Sequence, residues 1–333
     1  MNKLKFILAG CGRIGRRHAS LICQKYKLDA VCDILPERAA QFSKEFSCRS
    51  YNNIRDMIKA EDANVLVVCT PNGLHAEHSI RGLENGIHVL CEKPMALKVD
   101  DCISMMNAAQ KAGKHLLVVK QNRYNPPVVT VKRLLDENKL GKISGFQVNG
   151  FWNRPSSYYK QSWHGSLDMD GGTLFTQFSH FIDLLYWFLG DVERVEAMAG
   201  NFQHADLIEF EDSACILIKM KNGAIGSFNY NVNAFQKNME GSVTLFGESG
   251  SVKIGGEYLN ILEYFLVEGM EIPDLKKGNP ANNYGTHLGS MNNHREVYDH
   301  LEKVLSGEQA PLPDPRDAMK TVEIISKIYQ KIR

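Results

Sequence analysis

The sequence predicts an α/β protein of two domains: a doubly wound parallel sheet first, then an α/β domain on an open, mostly antiparallel sheet. Three observations carry that expectation. Up to about residue 120, short apolar runs alternate with segments of helical length. From about residue 143 the runs lengthen, mix polar with apolar positions and are joined by tight turns. A chain of 333 residues also exceeds the size at which one hydrophobic core stops growing, and 44% hydrophobic residues can fill two.

In the first part the apolar runs are Lys5–Ala9, Asp29–Cys32, Val65–Cys69, His88–Cys91 and Leu116–Val119. Continuous apolar strands separated by helices imply a parallel sheet covered on both faces, with right-handed crossovers. In the second part the runs are Ser144–Trp152, Arg194–Phe202, Ala214–Met220, Ala224–Asn231, Ser242–Phe246 and Ser251–Ile254. The turns KNGA (221–224) and GESG (247–250) join neighbours as hairpins. Asp314–Arg333 opens on prolines and spaces Ala318, Val322, Ile325 and Ile328 as one helical face. The expected division is therefore 1–121, 122–313 and a terminal helix over 314–333.

One helix interrupts the second part. GGTLFTQFSHFIDLL (171–185) is apolar around most of its circumference, yet Thr176, His180 and Asp183 fall within about 60° of one another, with Gln177 beside them. A narrow polar stripe on a buried helix must face a partner, a cleft or another subunit.

Composition removes several functions. Lys+Arg 39 against Asp+Glu 38 leaves a net charge of +1, which gives no electrostatic reason to expect nucleic acid or a membrane surface as partner. No run approaches the roughly 18 apolar residues of a membrane span. The N-terminal MNKLKFILAGCGRIG reads as a strand running into a glycine turn, not as a signal peptide. Eight cysteines without a C-x-x-C pair read as reduced, buried thiols of a cytoplasmic protein, with no metal site expected.

Gly10-Cys11-Gly12-Arg13-Ile14-Gly15 follows the first strand and opens a helix, the context that gives G-x-G-x-x-G its meaning. Gly10 permits the tight turn, Gly12 lets a pyrophosphate approach the backbone, and Gly15 lets helix pack on strand. Asp33 ends the second strand 18 residues after Gly15, where a carboxylate accepts hydrogen bonds from a ribose diol. The N-terminal domain is thus expected to be a Rossmann domain. Asp33 would repel a 2′-phosphate, so NAD is expected before NADP, although Arg38 lies close by. Thr70-Pro71-Asn72-Gly73-Leu74-His75 and Cys91-Glu92-Lys93-Pro94 follow later strands, outside the carboxyl ends where open parallel sheets bind ligands. Thr70, Asn72, His75, Glu92 and Lys93 are cofactor candidates; Thr70 and Asn72 serve equally well as helix caps. Lys93, wedged between a strand end and a proline, is poorly suited to a free surface ammonium.

The succession GCGRIG, Asp33, CTPNGLH, CEKP and a later G-G-x(7)-H-x-x-D from Gly171 to Asp183 resembles the glucose–fructose oxidoreductase, inositol dehydrogenase and MocA family over essentially the whole chain. The resemblance implies NAD(P)-dependent oxidation or reduction of a sugar or polyol carbon, and a C-terminal sheet that mediates dimer or tetramer contacts. It implies that Lys93 and His180 flank the reacting carbon and that Pro94 follows a cis peptide bond. One departure stands out. Many relatives carry Asp one turn before the helix histidine, where this chain has Thr176 followed by Gln177. Asp183 then either orients the imidazole or bonds elsewhere.

Three further stretches, Lys120–Pro127, Arg154–Trp163 and Asn283–His294, resemble a subgroup that oxidises the 3-hydroxyl of UDP-N-acetylglucosaminuronic acid for surface polysaccharides. A 3-dehydrogenase of UDP-N-acetylglucosamine is the near alternative. His180, of an imidazole class with unperturbed pKa about 6.5, suits the base, and Lys93 suits electrostatic stabilisation or proton relay, with the roles exchangeable. Arg123 and Arg154 are candidates for a carboxylate or pyrophosphate because a guanidinium pairs bidentately with either. Tyr124, Asn125, Tyr159, Thr176, Gln177 and Asp183, with Asn122 and the 282–293 loop, are candidate sugar and base contacts. The same residues are also compatible with redox-assisted glycoside cleavage and with an NAD-binding sensor without chemistry.

Overall fold

A computed structural model describes residues 4–160, 163–276, 278–283, 288–309 and 314–332. Its contacts divide the chain into two units, one of residues up to Val119 with His294–Val322, the other of Lys120–Asn293 with Glu323–Arg333.

The first unit contains strands β1 (Lys5–Ala9), β2 (Lys27–Cys32), β3 (Arg49–Tyr51), β4 (Val65–Val68), β5 (His88–Cys91) and β6 (Leu116–Val118). They pair in parallel in the order β3-β2-β1-β4-β5-β6, the doubly wound arrangement that the apolar runs imply. Helices α1 (Arg13–Lys25), α2 (Pro36–Phe46), α3 (Ile54–Ala60), α4 (His75–Glu84) and α5 (Val99–Ala112) connect them. Phe6, Ile7, Leu8, Val65, Leu66, Val67 and Val68 are fully buried, as strands covered on both faces must be.

The second unit contains α6 (Pro126–Asp136), β7 (Ile143–Phe151), α7 (Ser156–Tyr159), α8 (Ser179–Leu189) and strands β8 (Val192–Gly200), β9 (Ser213–Met220), β10 (Ile225–Asn231), β11 (Glu240–Gly247), β12 (Gly250–Gly255) and β13 (Ile261–Val267). The sheet runs β13-β12-β11-β7-β10-β9-β8, and every neighbouring pair is antiparallel except the parallel β7–β10. One face is covered: Phe181 of the central helix stacks on Phe228 of β10, and Phe178 packs edge-on to Phe228 and tilted against Tyr230. Gly150 on β7 makes room for this, since a Cβ there would lie 2.5 Å from the Phe178 ring. The other face exposes Met198, Leu217, Ile225, Phe246, Tyr264 and Leu266. A short ribbon pairs β14 (Ala281–Asn283) with β15 (Leu288–Met291).

Two late helices depart from a division that is continuous in sequence. α9 (His294–Leu305) groups with the first unit, where Tyr298 packs against Phe6 and Tyr26 and Lys25 reaches Glu302. α10 (Pro315–Ile332) is shared, grouping with the first unit as far as Val322 and with the second from Glu323.

Candidate active site

In the first unit the glycines of the β1–α1 turn have different physical reasons. Gly10 takes φ +101° and lies against the Cys69 carbonyl, and a Cβ on Gly15 would lie 2.0 Å from the Gly10 carbonyl oxygen. Both are packing glycines. A Cβ on Gly12 would meet nothing within 4 Å, so the fold itself does not require a glycine there. Gly12 caps α1 without a side-chain hydrogen bond, and the first turn, which begins with exposed Arg13 and half-buried Ile14, holds no acidic residue. An open helix N-terminus beside an unfilled backbone cradle is what a pyrophosphate needs.

Asp33 is fixed at the same turn. Its Oδ2 accepts the Cys11 N–H (2.8 Å) and its Oδ1 the Leu35 N–H (2.9 Å), leaving each oxygen a further lone pair for a ribose hydroxyl. Arg38 stands exposed on α2. These residues fit a dinucleotide with an unphosphorylated ribose.

The two later loops are tied together from inside. His75, 1% exposed, has Nδ1 2.7 Å from the Pro94 carbonyl and Nε2 2.9 Å from the Thr70 carbonyl. Burial pulls its pKa down while the two carbonyls pull it back. The Thr70 hydroxyl meets His78, which burial pushes down to about 4, and Asn72 is buried in a single 3-10 turn, Asn72–Leu74. Lys93 is half-buried and precedes a cis bond to Pro94. Glu92 turns inward to His18 and His294, with Oε1 2.9 Å from His18 Nε2 and 3.4 Å from His294 Nε2.

In the second unit the polar stripe sits on a helix that begins as a π turn, Leu174–Phe178, and continues as α8. A π turn widens the helix by a residue and is common at functional sites. The segment Lys120–Asn125 packs beneath it. Gln121 brings its amide to 3.4 Å from His180 Nε2 and donates to Ser290 Oγ (2.9 Å). Arg123 donates through Nε (2.9 Å) and Nη2 (2.8 Å) to the two oxygens of Asp183, and Lys120 Nζ lies 2.9 Å from Oδ1. Asp183 thus bonds to cations from this segment. Burial alone would raise its pKa, but Arg123 and Lys120 outweigh burial and hold the carboxyl well below the usual carboxylate range.

Arg154 donates from Nε to Gln177 Oε1 (2.6 Å) and from Nη1 to the Asn153 carbonyl (2.6 Å), and it lies over the Trp152 and Tyr158 rings. The Gln177 amide donates to the Tyr158 hydroxyl (2.9 Å). Tyr159 is buried with Ile208 and Phe210, edge-on to His204. Asn125 donates to the Tyr258 and Leu259 carbonyls and accepts from Asn293 (2.7 Å). Tyr124 is half-buried and Asn122 buried. Thr176 donates to the carboxylate of Asp170, a residue 1% exposed. Tyr284 lies outside the described residues, as do residues 161–162 of the Arg154–Trp163 stretch.

Periodicity and spacing assign no role to Gln121, Lys120 or Asp170. The first two stand in the Lys120–Pro127 stretch, but His180 and Asp183, which they meet, lie about 60 residues away, beyond any periodicity. Asp170 precedes the Gly171-Gly172 turn and so falls outside the helical wheel.

Residues 4–120 match the oxidoreductase family with an NAD-binding Rossmann fold, and residues 128–253 match the GFO/IDH/MocA C-terminal domain. Among solved structures, the WlbA dehydrogenase of Chromobacterium violaceum, in complex with NADH and UDP-GlcNAcA, is 35% identical, with 99% of this chain and 94% of that one covered and a TM-score of 0.88. The WlbA dehydrogenase of Bordetella pertussis, with the same two ligands, is 33% identical over 99% and 96% of the two chains, with a TM-score of 0.89. A curated relative, the 1-carboxy-3-chloro-3,4-dihydroxycyclohexa-1,5-diene dehydrogenase of Comamonas testosteroni, is 32% identical over 63% of this chain and 53% of its own length. The glucose-6-phosphate 3-dehydrogenase of Bacillus subtilis is 31% identical over 56% of this chain and also 53% of its own length. The match thus spans about half the length of these two curated relatives.

Proposed function

The chain belongs to the Gfo/Idh/MocA family of NAD-binding oxidoreductases, and on that premise we propose that it oxidises the 3-hydroxyl of a UDP-N-acetylamino sugar, UDP-N-acetylglucosaminuronate first. The observation that carries this reading is the buried polar stripe of α8, where His180 is framed by Gln121 while Lys120, Arg123 and Arg154 are held nearby by Asp183 and Gln177. A cation-rich polar surface inside an apolar unit suits an anionic, hydroxyl-bearing ligand. The likeness to two dehydrogenases solved with NADH and UDP-GlcNAcA supports the same substrate class.

NAD, when bound, supplies the hydride acceptor. His180 takes the hydroxyl proton. The Gln121 amide directed at Nε2 favours the tautomer with its proton on Nδ1, which leaves the Nε2 lone pair as the base. A hydrogen bond as long as 3.4 Å is readily exchanged for one from a substrate hydroxyl. Lys93 stabilises the negative charge that develops on the oxygen as that proton leaves. Arg123 acts through Asp183, fixing the helix beneath His180, and Arg154 with Gln177 meets the carboxylate or diphosphate. Gly12 and Asp33 hold the pyrophosphate and the adenosine ribose.

The exposed apolar face of the second unit's sheet is assigned to contact with further copies of the chain, as a dimer or tetramer. The setting is the cytoplasm, in keeping with eight free thiols. No helix among the described residues is long and apolar enough to cross a membrane.

The test is to purify the protein, measure retained NAD, and follow absorbance near 340 nm against a panel of UDP-sugars, with and without 2-oxoglutarate as a hydride sink. Reduction with UDP-N-acetylglucosaminuronate, ahead of neutral UDP-sugars and free polyols, is expected. Turnover of free polyols with no response to any UDP-sugar overturns the substrate, and sugar cleavage without net NADH would favour redox-assisted glycoside cleavage.

A further inference from the structure

We propose that His18 and His294 act through Glu92 as positioning residues for Lys93. The proposal rests on the reading that Lys93 works on the reacting oxygen.

Glu92 directly precedes Lys93 and closes β5, and all three groups of the cluster lie within the first unit. The carboxylate is 5% exposed and the two imidazoles are fully buried. Its two oxygens do different things. Oε1 receives His18 Nε2 at 2.9 Å and faces His294 Nε2 at 3.4 Å. Oε2 accepts the backbone N–H of Lys93 itself at 3.1 Å. A buried carboxylate without donors would be costly, so the imidazoles allow Glu92 to stay inside and ionised. Burial would raise its pKa, but His18 and His294 outweigh burial and hold it well below the usual range.

The ties run outward from there. His18 lies on α1 one turn beyond Gly15, so the helix that opens at the Gly-rich turn is bonded to the lysine loop. His18 Nδ1 meets the Tyr298 hydroxyl at 2.7 Å, and Tyr298 stands one turn after His294 on α9. On the far side of Lys93, the Pro94 carbonyl is held by His75. The backbone of Lys93 is therefore gripped on both sides, and the returning helix α9 supplies one of the grips. This accounts for a buried His-Glu-His set whose tie to the reacting groups is the backbone N–H of Lys93.

The same donors are of the kind that ligate zinc. Two features favour hydrogen bonding: the 2.9 Å His18–Glu92 separation is that of a charge-assisted hydrogen bond, and the Tyr298 hydroxyl continues the chain.

The test uses NAD-loaded protein and the variants His18→Leu, His18→Gln and His294→Leu. The first readout needs no sugar: the rate at which acetic anhydride acetylates Lys93, followed by peptide mass spectrometry against exposed Lys98 in the same digest. The Leu variants should raise the Lys93 to Lys98 ratio several-fold, and His18→Gln, which keeps a donor for Glu92, should restore it. The second readout is turnover of whichever sugar the wild type oxidises. There kcat should fall roughly ten-fold or more in the Leu variants with KM and NAD affinity within about two-fold, and recover in His18→Gln. An unchanged labelling ratio, no difference between Gln and Leu at position 18, or one zinc per chain in untreated protein overturns the proposal. Failure of the wild type on every UDP-sugar would overturn the substrate instead, with the labelling result standing independently.

Discussion

Asp183 decides the charge around the helix of His180. It bonds Arg123 and Lys120 while only 2% exposed, so removing its charge strands two cations. Asp183→Asn should cost about 3–5 kcal/mol in urea unfolding near neutral pH. The sign of the pH dependence follows from its depressed pKa. The stabilisation is complete above the unfolded value of about 3.9 and is lost as pH falls toward the folded value. The wild-type advantage over Asp183→Asn should therefore shrink on acidification below about pH 4. At the reacting groups, Lys93→Met and His180→Asn should each lower kcat/KM by about 10² to 10⁴ with unfolding midpoints near wild type, measured by initial rates. Single residues were unevenly legible in the sequence. Gly15 and Asp33 could be read because their partners, the Gly10 carbonyl and the Cys11 and Leu35 N–H groups, are a few residues or one βαβ unit away. Thr176 read as a missing carboxylate, yet it donates to Asp170, whose side chain comes back through a glycine turn that no periodicity describes.

Among elements, the β1–α1 turn separates packing from binding most sharply. Gly15→Ala places a Cβ 2.0 Å from a carbonyl oxygen and should unfold or strongly destabilise the first unit, whereas Gly12→Ala has open space and should leave the melting temperature near wild type. Its effect should appear as weaker NAD binding by calorimetry; a Gly12→Ala protein of unaltered NAD affinity would contradict the cradle. The buried strands β1, β4 and β5 were plain in the sequence because both faces are apolar. β3 was not, since Arg49-Ser50-Tyr51 is short and mostly exposed, and β13 leaves Ile261, Tyr264 and Leu266 in solvent, so no regular alternation of apolar and polar residues marks it. The helix over 179–189 was legible, but the π turn before it was not: a wheel drawn at 100° per residue assumes the very geometry that Leu174–Phe178 breaks.

For the molecule as a whole, the open face of the second unit's sheet has a consequence for assembly. Leu217 is 63% and Leu266 66% exposed, too much apolar surface on one face to be left to water without a reason. Leu217→Lys with Leu266→Lys should lower the mass seen by light scattering from an oligomer to a monomer while NAD binding persists; an unchanged mass would place any assembly elsewhere. The two-part grammar of the chain foretold two sheets of different kind, but not the return of α9 to the first unit, because its tie depends on His294 and Tyr298 meeting a histidine some 280 residues earlier. The proposed oxidation removes a hydride from the sugar 3-carbon. The most direct measurement supplies UDP-N-acetylglucosaminuronate deuterated at that carbon and weighs the cofactor after one turnover. Reduced cofactor one mass unit heavier is the predicted result; reduced cofactor without the label, or none at all, would contradict it.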